Sequence, residues 1–167
     1  MTEWQVDSQT GLRVGVTLIA AILLAIGGLI AWVLTQPISL WTALASVAVL
    51  LGVGTIGMLA YWLAGLLHSS YHFDRNAVVI TWGASEQVIP SSHVKQVLTG
   101  SGIAGQIRFR GIGWPGHWVG FGEVEGLGQA LFYATVPPRQ QVFLVTDGLV
   151  YGISPEDPAG FLRALQS

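Results

Sequence analysis

The chain has 167 residues, seven basic and nine acidic groups, a net charge of −2 and no cysteine. That balance lacks the basic footprint of a nucleic-acid binder, so no nucleic acid is expected as a partner. The missing cysteines exclude a disulfide framework, a thiolate nucleophile and a cysteine-ligated metal.

The charges are unevenly spread, and this divides the chain. Residues 74–167 hold six of the seven basic groups and seven of the nine acidic ones, whereas Val14–Phe73 is sixty residues without one Asp, Glu, Lys or Arg. An ordinary soluble chain is about a quarter charged. Residues 1–13 read as an N-terminal tail. Val14–Leu34 and Leu40–Leu67 are apolar runs of 21 and 28 residues. Crossing a hydrocarbon core of about 30 Å takes roughly 20 helical residues. Residues 14–70 are therefore expected to form a two-helix transmembrane hairpin, with spans at 14–34 and 40–67 and the turn at 35–39. The first run is longer than a signal h-region and is expected to be retained.

Pro37 has no N–H and restricts Gln36 before it, which places the reversal there. Trp32 and Trp41 then flank the turn at one membrane–water interface. The second span is longer than the hydrocarbon core, so its last turns emerge, with Tyr61 and Trp62 at the other interface. Arg13 and Arg75 flank the two spans and the turn holds no basic residue. By the positive-inside rule both termini and the remainder of the chain are cytoplasmic, at the cell membrane. Ala21/Ala25, Gly27/Ala31, Ala48/Gly52 and Ala60/Ala64 are each four apart, which suits close packing of the spans on each other or on a second copy. Neither span carries a charge, so no ion site or proton relay is expected.

After Ser70 the period changes. Val78, Ile80 and Trp82 alternate with Val79 and Thr81, as in a half-buried strand. Tyr71–Phe73 reads as the preceding arm of a hairpin. Glu86–Ile89, Ile107–Arg110, Trp118–Phe121, Leu131–Thr135, Gln141–Thr146 and Leu149–Ile153 follow, most of them separated by Gly, Pro or Asp-Gly. Asp147-Gly148 between two apolar runs is a hairpin signal. The expectation is about seven short antiparallel strands in a sandwich or barrel. Ser154-Pro155 and Asp157-Pro158 each offer an N-cap and first helical residue. A closing helix over 156–166 follows, with Phe161, Leu162 and Leu165 on one face.

Several stretches here resemble a known family: VVITWG at 78–83, the Val-Ile-Pro step at 88–90 with Val94 and Val97, GIGWPGHWVGFG at 111–122, LFYAT at 131–135 and VTDGLVYGISPEDPAGFLRAL at 145–165. Together they are similar to the bacterial pleckstrin-homology-like (PH-like) domains found behind one or two membrane spans. The resemblance covers 71–167, and it implies a mainly-β PH-like domain, tethered to a membrane, without known enzymatic chemistry and acting in assemblies. The eukaryotic relatives bind phosphoinositides through a basic first loop. The loop in that place here holds Asp74, Arg75 and Asn76, which argues against that ligand.

Other constellations are weaker. Gly111-Ile112-Gly113-Trp114-Pro115-Gly116 spells G-x-G-x-x-G, but a dinucleotide loop must open a helix, and here a strand pattern follows. A glycine-rich crossing between strands is the better reading. His68 and His72 would share a helix face, without a third metal ligand. His93 beside Ser91 and Ser92 lacks an orienting carboxylate. Glu123 and Glu125 read as a solvated pair. No cofactor, metal or catalytic residue is assigned. The one contact surface expected combines Arg108, Arg110, Trp114 and His117, with Trp118 either in it or in the core, because arginine and aromatics concentrate at interfaces. Two functional readings follow. One is a non-enzymatic membrane-anchored module that binds protein or its own copies. The other is a β-domain that holds a lipid or small hydrophobic ligand.

Overall fold

Two long helices, α1 (Gln9–Thr35) and α2 (Leu40–Leu67), run back to back from the start of a mainly-β region. The computed structural model describes residues 2–74 and 76–166. Both helices are long and apolar enough to cross a membrane, and most of each stays uncovered by the rest of the chain. Leu24, Leu50 and Leu51, for example, are exposed. They pack on each other where small residues face large ones. A Cβ on Gly15 would collide with Leu63, and one on Gly52 would press on Ile26. Gly27 faces open space instead. The turn between them is stopped by a capping box. The Ser39 hydroxyl accepts from the Thr42 N–H at 3.4 Å, and the Thr42 hydroxyl accepts from the Ser39 N–H at 2.9 Å, which satisfies two amides that the helix start leaves unpaired.

The stretch expected as a tail is not one. Thr2–Gln5 form strand β1, and α1 begins at Gln9, five residues before the expected span. β1 pairs antiparallel with β2 (Ser70–Phe73), and Val6 bridges to Pro155. β2 continues to β3 (Ala77–Trp82) and β4 (Ser85–Pro90), giving a four-stranded sheet in the order β1-β2-β3-β4. The alternation in β3 is realised, with Val78, Ile80 and Trp82 all buried.

The second sheet has six strands: β5 (Val94–Thr99), β6 (Ile107–Trp114), β7 (His117–Val124), β8 (Gly128–Ala134), β9 (Val142–Thr146) and β10 (Val150–Ile153). Their order is β5-β9-β10-β8-β7-β6. That makes ten strands among the described residues, not seven. One pairing is parallel, β10 on β8. It arises because the β9–β10 hairpin, turned at Asp147-Gly148, folds back into the slot beside β8. The sheets stack as a sandwich and do not close into a barrel.

One face of the six-stranded sheet meets the four-stranded one. Val142, Leu144 and Ile153 pack there with Tyr71, Val78 and Ile80. Leu63 and Leu66 of α2 are buried in this same core, so the end of the helical hairpin and the β-region share one interior. Tyr71 is fully buried, and its hydroxyl donates to the Tyr133 carbonyl at 2.6 Å while accepting from the Ser154 N–H at 3.2 Å. The opposite face carries a second cluster around Phe132, Phe143 and Val150, closed by Ile103.

The closing helix α3 (Pro158–Gln166) starts two residues after the expected 156 because Asp157 is its cap. The Asp157 carboxylate accepts from the Gly160 N–H at 2.9 Å. Ser154, the other candidate cap, is buried and accepts from the Thr135 N–H at 2.7 Å. Phe161 points into the shared core, where the Trp4 ring meets it edge-on at 5.7 Å. Leu165, expected on that face, lies outside the residues whose side chains are described.

Candidate functional site

The site grows from the β6–β7 hairpin. Its register pairs Arg108 with Glu123, Arg110 with Phe121, Ile112 with Val119 and Trp114 with His117, and these residues share one sheet face. Trp118 pairs with Gly113 on the other face and packs on Phe109, ring centroids 5.2 Å apart. It is thus separated from the cluster in which it was considered. The GxGxxG stretch is β6 itself with its turn, so the glycine-rich crossing is a hairpin. Gly116 makes that turn at φ 87°, a conformation that side chains other than glycine's resist. It also lies against the backbone of Gly11 so closely that a Cβ on either would collide with the other. The hairpin tip is thereby seated on the first turn of α1.

From this seat Trp114 and His117 reach the base of α2. Trp62 lies 5.2 Å from Trp114 and stacks on His117 at 6.3 Å. Trp114 and His117 are 5.0 Å apart, and Trp82 from β3 closes on His117 at 5.9 Å. His117 is only 3% exposed, and its Nδ1 has no hydrogen-bond partner among the described residues. Burial among these rings pushes its pKa down to about 4, because a desolvated imidazole resists taking a charge. The ring is therefore neutral at pH 7. Trp62, expected as an interface anchor, is half-buried against the β-region. Trp32 and Trp41 stand at the far tip of the hairpin, 43% and 71% exposed.

A groove of about 830 Å³ opens beside the nest, between the last two turns of α2 and the sheet face. Tyr61, Trp62, His68, Trp82, Ile112 and Tyr133 are among its walls, which hold no Lys, Arg, Asp or Glu. Of these, Trp82, Ile112, Tyr133 and His68 were not anticipated as site residues. The inward alternation in β3 marked Trp82 as core, but periodicity does not say which element a core residue meets.

Farther along the same face, Arg108 and Arg110 line a smaller recess of about 400 Å³ with Phe121, Glu123 and Leu131. Phe121 is 59% exposed, and neither guanidinium has an ion pair among the described residues. The four residues expected as one surface thus occupy one face but two places. Trp114 and His117 are tucked under α2, and Arg108 and Arg110 stand open, about 13 Å away for Arg110 at 3.3 Å per residue.

The remaining candidates fall apart. His68 follows the end of α2 and its Nδ1–H donates to the Ala64 carbonyl at 2.8 Å, whereas His72 is on β2 beside the Ser70 hydroxyl at 2.9 Å. They do not share a helix face, because the helix ends at Leu67. Ser91–His93 is a single helical turn between strands. Glu125 leaves the strand and accepts from the Gln106 N–H at 2.8 Å. Among the described residues no three His, Cys, Asp or Glu gather to hold a metal. Arg75 lies outside the described residues.

A two-sheet β-region closed by a C-terminal helix is the architecture of a PH-like domain. A model of the bacterial PH domain family matches residues 69–167, more than half of the chain, which therefore belongs to that family. Searches of curated proteins and of solved structures returned no significant match.

Proposed function

We propose that the chain is a membrane-anchored, non-enzymatic module whose bacterial PH domain binds a protein partner, another copy of itself included, through the recess of Arg108, Arg110 and Phe121. The observation that carries this is an exposed phenylalanine flanked by two arginines that form no ion pair among the described residues, all on one sheet face. Side chains of these types dominate binding energy at protein interfaces. The anchoring rests on two helices of 27 and 28 residues whose apolar surfaces the rest of the chain leaves bare. Because β1 pairs with β2, the N-terminus and the β-domain share one side of the bilayer. Arg13 at the entrance of α1 supports the cytoplasmic side.

The test is a photo-crosslinking amino acid at position 121 of the full-length protein in cells, with position 92 on an exposed turn as the control site. A discrete adduct at 121, foreign or self, that disappears in R108E/R110E supports the reading. Labelling no stronger than at position 92, or unaffected by the charge reversal, refutes it.

A further inference from the structure

The groove at the base of α2 has features that the protein-binding recess does not explain. Its walls are aromatic and aliphatic and carry no formal charge among the lining residues. Its volume of about 830 Å³ falls in the range of small-molecule sites. One wall is the ring of His117, almost wholly buried. Its Nδ1 is sealed from solvent without a partner among the described residues, as is Nε1 of Trp114 beside it, so the wall meets the groove as an apolar ring face.

The position of the groove narrows what it takes. α2 has 28 residues, roughly 42 Å at 1.5 Å each, and about the first 20 suffice for the hydrocarbon core. Tyr61 to His68 then stand at headgroup depth, where amphipathic rings collect. A groove open at that level adjoins the ester layer of the leaflet. Its uncharged lining suits an acyl chain and not a charged headgroup.

We infer that the groove takes one acyl chain of a glycerolipid from the adjoining leaflet, held between the aromatic and aliphatic walls of α2 and the sheet. This rests on the membrane reading of the hairpin. It is independent of the Arg108–Arg110 recess.

The test uses the full-length protein in lipid nanodiscs containing a phosphatidylglycerol with a diazirine on one acyl chain. Adducts are mapped by mass spectrometry after illumination. Adducts on α1 and α2 report that the helices lie in the bilayer, and their absence would overturn the membrane reading itself. Adducts on Ile112, Val119 or Tyr133 are expected in addition, since these side chains lie outside the spans. They should be competed away by untagged lipids of either headgroup charge, and lost in Ala64→Trp, which fills the groove from the exposed side of α2. Labelling confined to α1 and α2 would overturn the groove assignment. So would β-domain labelling that ignores Ala64→Trp, or crosslinks in the groove to a second copy in place of lipid.

Discussion

The two ends of the helical hairpin use tryptophan in opposite ways. At the tip, Trp32 and Trp41 are largely exposed, and the turn is organised by local hydrogen bonds such as the capping box of Ser39 and Thr42. At the base, Trp62 is gripped by Trp114 and His117, while Leu63 and Leu66 enter the β-domain core. The same apolar helix thus depends on its surroundings at one end and on its own chain at the other. The lesson concerns where an apolar helical hairpin stops and a β-domain starts. Here the last turn of α2 belongs to both.

The sharpest way to break the base is at Gly116. Gly116→Val adds a side chain at positive φ and drives it into the backbone of Gly11, which should cost about 4 kcal/mol. Thermal denaturation of the full-length protein in detergent reads this. Limited proteolysis between α1 and the hairpin tip should accelerate with it. Trp62→Ala comes next, with a loss of about 2–3 kcal/mol from a half-buried indole packed on the rings of Trp114 and His117. An unchanged melting temperature would show that the nest does not hold α2 to the sheet.

His117 gives a smaller effect that depends on pH. Its pKa is about 4 in the folded chain against 6.5 in the unfolded one. Between those values the unfolded chain binds the proton first, so stability falls as pH drops from 6.5 toward 4 and levels off below. The loss should total roughly 2 kcal/mol, allowing for some solvent access. The groups facing the ring are Trp62 from α2, Trp82 from β3 and Trp114 from β6, none of which titrates in this window. Subtracting the stability–pH curve of His117→Phe isolates the effect, and two parallel curves would refute it. Trp41→Ala should change stability in detergent by less than about 0.5 kcal/mol. If it matched Trp62→Ala, the contrast between tip and base would fail.

How much of this could be read beforehand follows from where the information lies. Alternation along Val78, Ile80 and Trp82, the Asp147-Gly148 turn and the Asp157-Pro158 cap are local, and each appears where expected. β1 was missed because four residues with a single inward tryptophan leave no period to count, and their partner is β2, on the far side of both helices. β5 was not counted because VKQVLT is nowhere fully buried, and its Val94–Gln96 step breaks register. The parallel seat of β10 is a matter of slot and leaves no mark on spacing. The site shows the same division. Arg108, Arg110 and Trp114 share a face by parity, which is legible along a strand. The meeting of Trp114 and His117 with Trp62 comes from a helix far upstream in the chain, and no local pattern encodes it.

The pairing of β1 with β2 has one more consequence. Taken together, the two helices are a loop of a β-hairpin, inserted between neighbouring strands of one sheet. β1 leaves the ribosome first, yet its partner exists only after both helices have been made. The four-stranded sheet is therefore completed by its oldest strand, and the hydrogen bonds that close it hold the two helices by both ends. A pull on the hairpin then loads β1 and β2 together, and the sheet resists through the pairing of β2 with β3, instead of tugging a single flexible tether.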